Sequence, residues 1–141
     1  MTTLDTNIIV RYLTQDEPDQ SRRARTVFEE VEAGRRTVNL IEAVLVETEQ
    51  VLSSKNLYHL PRVVITHHLT RLLRMQGVKI PNKQMYLLAF DFYESHMHLS
   101  FFDCLLVAYT ERSGNTSILS FDRGFDRQTV QQDTAVKRSV P

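Results

Sequence analysis

Short apolar runs alternate along the chain with longer segments in which apolar residues recur at helical spacing. The short runs predict brief β-strands, because apolar stretches bounded by turn residues are typical of buried strands. The longer segments predict helices. The predicted strands are 1–4, 37–40, 77–80, 117–121 and 135–137, and the predicted helices are 7–13, 20–33, 42–52, 61–75, 83–97 and 101–112. Strands that alternate with helices favour an α/β fold in which a short parallel sheet is flanked by helices.

The composition indicates one domain with a core. Of the 141 residues, 42% are apolar and 24% are charged, so we predict a single domain over residues 1–141. Basic and acidic residues number 17 each, and the net charge is zero. Binding of nucleic acid would therefore need a local basic patch. Two clusters are candidates, although a solvated helix face explains them equally well: Arg22, Arg23 and Arg25, and Arg35 and Arg36.

Several classes of protein are excluded by what the sequence lacks. The single cysteine, Cys104, rules out an internal disulfide and paired-cysteine zinc motifs, and its apolar neighbours predict an inert core residue. No apolar run is long enough to predict a membrane span. The N-terminus does not resemble a signal peptide, so we predict a cytoplasmic protein.

Four acidic residues beside apolar runs are the candidate chemistry: Asp5, Glu47, Asp103 and Asp122. A charge next to core sequence is costly to bury unless it is paired, and four carboxylates cannot pair with one another. If the fold brings them together, a divalent cation is the expected partner. Oxygen ligands around Mg²⁺ or Mn²⁺ suit the hydrolysis of phosphodiesters. Asp5 and Asp122 follow predicted strands, and ligands bind beyond the carboxyl ends of strands in such sheets.

Three of these acids also have an ordinary structural explanation. Asp5 suits a helix N-cap, and Asp122 suits the turn before Gly124. Asp103 fits a variant capping box with Ser100, a role that is compatible with metal binding at the first turn of a helix.

The position of Glu47 on its helix is predicted from angles of about 100° per residue. From its angle to Leu40 and Val51 around the helix axis, Glu47 is predicted to be the glutamate nearest the apolar face. Glu42 and Glu49 are predicted to lie on the other side of the helix. The alternative is a boundary glutamate whose carboxylate reaches water.

Other polar residues carry weaker signals. Asp126 is a candidate fifth acid, but an exposed charge at a helix start explains it better. The pairs His67–His68 and His96–His98 have no third soft ligand at useful spacing. We therefore predict surface or boundary histidines rather than a zinc site.

The motifs LDTNIIVRYLTQDEP, LVETEQVL, FFDCLLVAYTERSG and ILSFDRGF occur in this order. Together they resemble the PIN domain, and most closely the VapC-type toxins of bacterial and archaeal toxin–antitoxin pairs. The resemblance spans essentially the whole chain. It implies a PIN-like three-layer α/β sandwich with a short parallel central sheet, and RNA cleavage by a water that a divalent metal activates.

The resemblance also assigns roles to individual residues. Asp5, Glu47, Asp103 and Asp122 match the acidic quartet that binds Mg²⁺ or Mn²⁺. Two supporting residues match as well: Asn7 matches the polar position after the first acid, and Ser120 matches the hydroxyl two residues before the last acid. Ser100 stands where many relatives carry an outer aspartate, so the resemblance does not decide whether a second metal binds. The expected partners are an RNA substrate, a cognate antitoxin and a second copy in a homodimer, for which the apolar surface of helix 83–97 is a candidate.

Two other functions compete with a ribonuclease toxin. A catalytically silent PIN-like module would bind RNA or protein without cutting, but it would have no need to retain four mutually repelling acids. A phosphotransfer domain would use Asp5 as phospho-acceptor. Dehalogenase-like enzymes would need an aspartate where Asn7 stands, and receiver-like domains need a late lysine, for which Lys137 is nearly terminal. The phosphate-binding Gly-x-x-x-x-Gly-Lys motif is absent.

Overall fold

A computed structural model describes residues 1–126 and 134–141. Within these ranges the chain forms six α-helices, five short strands and a 3₁₀ turn at Arg123–Asp126. The strands are β1 (Thr2–Thr3), β2 (Val38–Asn39), β3 (Val78–Lys79), β4 (Ser117–Leu119) and β5 (Lys137–Ser139). The helices are α1 (Thr6–Thr14), α2 (Pro18–Glu32), α3 (Glu42–Ser53), α4 (Arg62–Arg74), α5 (Lys83–Ser95) and α6 (Phe101–Arg112).

The N-terminal unit, Met1–Pro81, contains a parallel sheet in the order β1-β2-β3. Val38 is the register partner of both Thr2 and Val78. The ladder continues past the strand ends, because the Leu4 N–H donates to the Asn39 carbonyl at 2.8 Å and the Leu40 N–H to the Lys79 carbonyl at 2.9 Å. Parallel strands need long crossover connections, and α1–α2 and α3–α4 supply them.

A close backbone approach at Gly77 joins the sheet to the end of α2. Its N–H donates to the Val31 carbonyl at 2.9 Å, and its own carbonyl accepts from the Val38 N–H at 2.8 Å. A Cβ at this position would lie 2.0 Å from the Arg36 carbonyl oxygen. Only glycine therefore lets β3 reach β2 here.

Apolar side chains from every helix of the N-terminal unit form its core. α1 packs on α2 and α3, and α3 packs on α4. The rings of Tyr12 and Phe28 stack with centroids 4.4 Å apart. Ile9, Leu45 and Leu69 are fully buried, each on a different helix.

The C-terminal unit, Asn82–Pro141, is built on the pair α5–α6 and on a separate parallel pair of strands, β4 and β5. The Phe101 ring stacks on Phe90 at 4.6 Å and meets Tyr93 edge to face at 5.5 Å. Most of the apolar surface of α5 is therefore core, while Leu87 and Leu88 are half-buried.

The α/β fold with a short parallel sheet is confirmed, and each predicted helix and strand is present. The described strands pair as two parallel sheets. The last strand lies later in the chain than the predicted 135–137, since β5 begins at Lys137. It pairs in register with β4, with Lys137 opposite Ser117. None of the described helices is long and apolar enough to cross a membrane.

Gly77→Ala is expected to destabilise the protein by about 3 kcal/mol, because the methyl group would clash with two backbone carbonyls that cannot move independently. Gly34→Ala is the control. Gly34 has φ of 76° and its Cβ would meet only the flexible Gln76 side chain, so a cost of about 1 kcal/mol is expected. Urea unfolding would measure the free energy of unfolding of both variants, and an equal decrease in the two would contradict the prediction.

Candidate active site

Asp5 lies just beyond β1 and occupies the N-cap position of α1. Its side chain makes no capping hydrogen bond, although aspartate commonly caps helices. The residue is exposed, as is Asn7 in the first turn. Asp5 therefore has the backbone position of an N-cap, but its carboxylate takes no part in capping the helix.

Thr6 links the start of α1 to α3. Its hydroxyl donates to Oε2 of Glu47 at 2.7 Å, and the threonine itself is buried. The residue between Asp5 and Asn7 therefore contacts Glu47 directly. Thr6 was not among the predicted site residues, and its only signal in the sequence is a hydroxyl inside the motif Asp-Thr-Asn.

The predicted orientation of α3 was wrong. Glu47 is exposed, whereas Glu49 is buried with only 8% exposure. The buried positions of α3 are Leu45, Thr48, Glu49 and Leu52, which follow helical spacing. The error arose because Leu40 was used as a reference for the helix, while Leu40 follows β2 and α3 begins only at Glu42.

A cavity of about 490 Å³ opens beside Asp5. All of its lining residues belong to the N-terminal unit: Asp5, Asn7, Ile8, Arg11, Gln20, Arg23, Ala24 and Val27. Carboxylate, amide and guanidinium groups thus share one recess with apolar side chains. The recess has the size of ordinary small-molecule sites.

Arg11 is fixed beside this cavity by neighbouring polar groups. Its Nε donates to Oε1 of Gln20 at 2.9 Å, and its Nη1 lies 3.3 Å from both Oδ1 of Asp16 and the Tyr58 hydroxyl. The Tyr58 hydroxyl donates to Oδ2 of Asp16. This bond is the largest cause of a pKa of Asp16 below its ordinary value of 3.8. Burial opposes it, and the hydrogen bond from Thr14 and the charge of Arg11 lower the pKa further.

Asp103 lies in the first turn of α6 in the C-terminal unit, where the predicted capping box is confirmed. The Ser100 N–H donates to Oδ2 of Asp103 at 3.1 Å, and the Asp103 N–H donates to the Ser100 hydroxyl at 3.1 Å. Asp103 is half-buried, and its carboxylate is held by the backbone N–H of Ser100. The Ser100 hydroxyl is itself used as an acceptor in this cap.

Asp122 follows β4 in a turn that its own side chain stabilises. Its Oδ1 accepts from the Gly124 N–H at 2.8 Å, and its N–H donates to the Ser120 hydroxyl at 2.9 Å. Ser120 therefore positions the backbone of Asp122, which is a concrete role for one predicted supporting residue. Asp122 itself is exposed.

Asp126 lies at the end of the 3₁₀ turn, and it forms an ion pair with Arg138. The Arg138 Nη2 lies 2.7 Å from Oδ2, and Nε lies 3.0 Å from Oδ1. This hydrogen-bonded pair lowers the pKa of Asp126 and raises that of Arg138. The exposed position is as predicted, and the arginine was not foreseen.

The histidines differ among themselves. His67 is exposed, and His68 and His98 are half-buried, as predicted. His96 is buried with 2% exposure, so its prediction as a surface or boundary residue was wrong. It follows α5 directly, and its Nδ1 lies 3.2 Å from the Phe92 carbonyl. Burial, followed by the charges of His67 and Arg71, lowers the pKa of His68.

The chemistry of the four acids fits a hard divalent cation. Each unit contains two of these acids, and the ion pairs that the structure describes use other acids: Asp16, Asp19, Glu30, Glu32 and Asp126. Within either unit, the described histidine, cysteine, aspartate and glutamate side chains form no group of three suited to a metal ion. A divalent ion held by either pair of acids would therefore need water or other oxygen ligands to complete its shell.

The sequence model of the PIN domain matches residues 2–130. This match covers most of the chain, and the protein therefore belongs to the PIN domain family. No curated protein matches it significantly. The family match contains all four acids, and PIN domains are generally nucleases.

Tyr58→Phe is expected to reduce the dependence of stability on pH below about pH 4. A carboxyl group whose folded pKa is lowered stabilises the fold above its unfolded pKa, and that contribution is lost as the pH falls through the folded pKa. Removal of the Tyr58 hydroxyl removes the largest cause of the lowered pKa of Asp16. Urea unfolding between pH 2.5 and 6 would measure the slope.

Asp16→Asn supplies the control for this prediction. In the Asp16→Asn background, Tyr58→Phe should leave the pH dependence unchanged, because the titrating group is absent. An equal change in both backgrounds would show that Tyr58 acts through another group.

Proposed function

We propose that this PIN-domain protein is a divalent-metal-dependent ribonuclease whose catalytic acids are Asp5, Glu47, Asp103 and Asp122. The observation that supports this most strongly is that the PIN-domain match runs through both units and includes both pairs of acids. We treat residues 1–141 as one functional domain for the same reason. The four acids form the metal site, and Mg²⁺ or Mn²⁺ is the cofactor.

The local bonds of each acid fit this role. The Asp5 carboxylate is not used in capping, and Glu47 is oriented by the Thr6 hydroxyl. Asp103 and Asp122 are oriented mainly by backbone N–H groups. A bound Mg²⁺ or Mn²⁺ would lower the pKa of its water and polarise a phosphate oxygen.

Asn7 and Ser120 have supporting roles in this proposal. Asn7 shares the cavity with Asp5 and has an amide that can orient a carboxylate or a water molecule. Ser120 holds the turn that presents Asp122. We propose a single metal, because Ser100 has no carboxylate and its hydroxyl is engaged by the Asp103 N–H.

We further propose that the enzyme is the toxin of a VapBC-type toxin–antitoxin pair and cleaves RNA in the cytoplasm. The proposal is supported by the order of the four motifs and by the family, whose members are often such toxins. A cognate antitoxin would then be the natural partner. An Arg or Lys inserted among the carboxylates would replace the metal charge and silence the enzyme.

A homodimer is proposed on an apolar stripe of α6. Phe102 is 60% exposed and Tyr109 is 57% exposed, and seven residues separate them along the helix. This spacing places them on one face, and half-buried Leu106 lies between them. The stripe replaces α5 as the candidate interface, because α5 buries most of its apolar residues within its own unit.

Asp5→Asn and Asp103→Asn should each reduce Mn²⁺-dependent RNA cleavage by roughly 10³-fold or more, because each removes a charged metal ligand. Asp103→Asn keeps an oxygen that can accept from the Ser100 N–H, so its unfolding free energy should stay within about 0.5 kcal/mol of wild type. Asp103→Ala should lose about 1 kcal/mol as well as activity. Gel assays with synthetic RNA and urea unfolding would measure both properties.

Asp91→Asn is the matched control, since Asp91 is an exposed aspartate on α5 outside the quartet. It should cleave as wild type does, and all proteins are purified identically to expose contaminating nuclease. Mn²⁺ should raise the melting temperature of wild type but not of Asp103→Asn. Full activity of Asp5→Asn would refute the mechanism, whereas RNA binding without cleavage by wild type would favour the silent-module alternative.

Tyr109→Lys should convert the dimer to a monomer, because it places a charge within the proposed apolar interface. Light scattering at micromolar concentration would measure the mass. Val63→Lys, which alters a similarly exposed apolar residue on α4, should remain dimeric. A monomeric wild-type protein would disprove the dimer and leave the ribonuclease proposal unaffected.

A further inference from the structure

The cavity beside Asp5 contains two arginines in a protein of zero net charge. Arg11 and Arg23 lie on different helices, α1 and α2. Asp5 and Asn7 line the same cavity, so the cavity adjoins one of the proposed metal ligands. We propose that this cavity is a subsite that binds one nucleotide of single-stranded RNA beside the cleaved phosphate, an inference that rests on the proposed function.

Arg11 is oriented in advance for a phosphate. Its Nε and Nη1 are occupied by Gln20, Asp16 and Tyr58, and its side chain is only 29% exposed. The Nη2 group carries two N–H donors that these bonds do not use. An oriented guanidinium loses less conformational freedom when it binds a phosphate oxygen.

Arg23 supplies a second, more mobile positive group. Its side chain is 77% exposed, and its Nη1 lies 3.9 Å from Oδ2 of Asp19, beyond hydrogen-bond distance. Asp19 is bound more closely by Arg22, at 2.6 Å. Arg23 therefore remains available to a ligand in the cavity, whereas Arg22 is engaged by its own ion pair.

The remaining lining residues suit a nucleoside better than a bare phosphate. Ile8, Ala24 and Val27 give apolar surface for the face of a base or sugar. Gln20 Oε1 accepts from Arg11, which orients the side chain, and its amide nitrogen carries donors that a ligand could use. Two guanidinium groups offer charge to a phosphate and planes on which a base can stack, and the apolar surface and the amide offer contacts to the nucleoside.

The test measures binding separately from cleavage. Full-length protein carrying Asp122→Asn is titrated against a fluorescent eight-residue single-stranded RNA, and anisotropy gives Kd at several salt concentrations. In this background Arg23→Gln should weaken binding roughly tenfold. The slope of log K against log salt should fall by about 0.7, the value for one lost phosphate contact on a single strand.

Arg25→Gln is the matched control, because Arg25 is an exposed arginine of α2 that does not line this cavity. Its Kd should change by less than about twofold. Arg11→Lys keeps the charge but loses the forked donors, so it should also weaken binding. Circular dichroism would confirm that each variant is folded.

Equal effects of Arg23→Gln and Arg25→Gln would overturn the subsite and indicate diffuse attraction. Tighter binding of an acidic peptide than of RNA would likewise overturn it and indicate a protein partner. Cleavage by wild type with unchanged KM and kcat in Arg23→Gln would refute the subsite alone. Arginine-dependent RNA binding by wild type without cleavage would refute the ribonuclease proposal and retain a nucleotide-binding cavity.

Discussion

The N-terminal unit depends on the close backbone approach at Gly77. Gly77 precedes β3, and its backbone N–H and carbonyl each form one hydrogen bond. One of these bonds reaches the end of α2 and the other reaches β2, at a residue that has no side chain. Because β1 pairs with β2 and β2 with β3, this junction supports the whole three-stranded ladder. Asp5 follows β1, and α3 follows β2, so the placement of both acids of this unit depends on the same ladder.

The acids are oriented by neutral donors, which has an electrostatic consequence. The Thr6 hydroxyl and the N–H groups of Ser100 and Gly124 each hold one carboxylate without cancelling its charge. By contrast, Asp126 accepts from Arg138 and has a lowered pKa. Neutral donors fix geometry while they leave the negative charge available to an external cation. An arginine partner would fill the same oxygen positions and compete with the metal.

Much of the fold could be predicted from the sequence, because apolar spacing decides which segments become helices and strands. α6 was predicted with its observed bounds, and the pattern Ser100-x-x-Asp103 correctly indicated its capping box. Rotational orientation was less predictable. The angle of Glu47 was counted from Leu40, which lies outside α3, whereas the buried face includes Leu45 and Glu49, and the spacing of about 100° per residue holds only within a helix.

Long-range polar contacts could not be predicted from local patterns. The Thr6–Glu47 bond joins residues 41 positions apart, and the Arg11–Tyr58 bond joins residues 47 positions apart. Neither pair has a sequence spacing that indicates contact. The sequence could name the acids through their family motifs, but their supporting residues depend on tertiary structure.

The division of the acids between two units constrains any metal-dependent mechanism. Asp5 and Glu47 belong to the N-terminal unit, and Asp103 and Asp122 belong to the C-terminal unit. Mg²⁺ usually keeps several waters and binds through one or two carboxylates, so water or substrate would complete the six-coordinate shell around either pair. Under the proposed function, a bound ion would stabilise the folded protein, because a ligand that binds only the folded state favours that state. Metal affinity and resistance to unfolding would then be two measures of the same equilibrium.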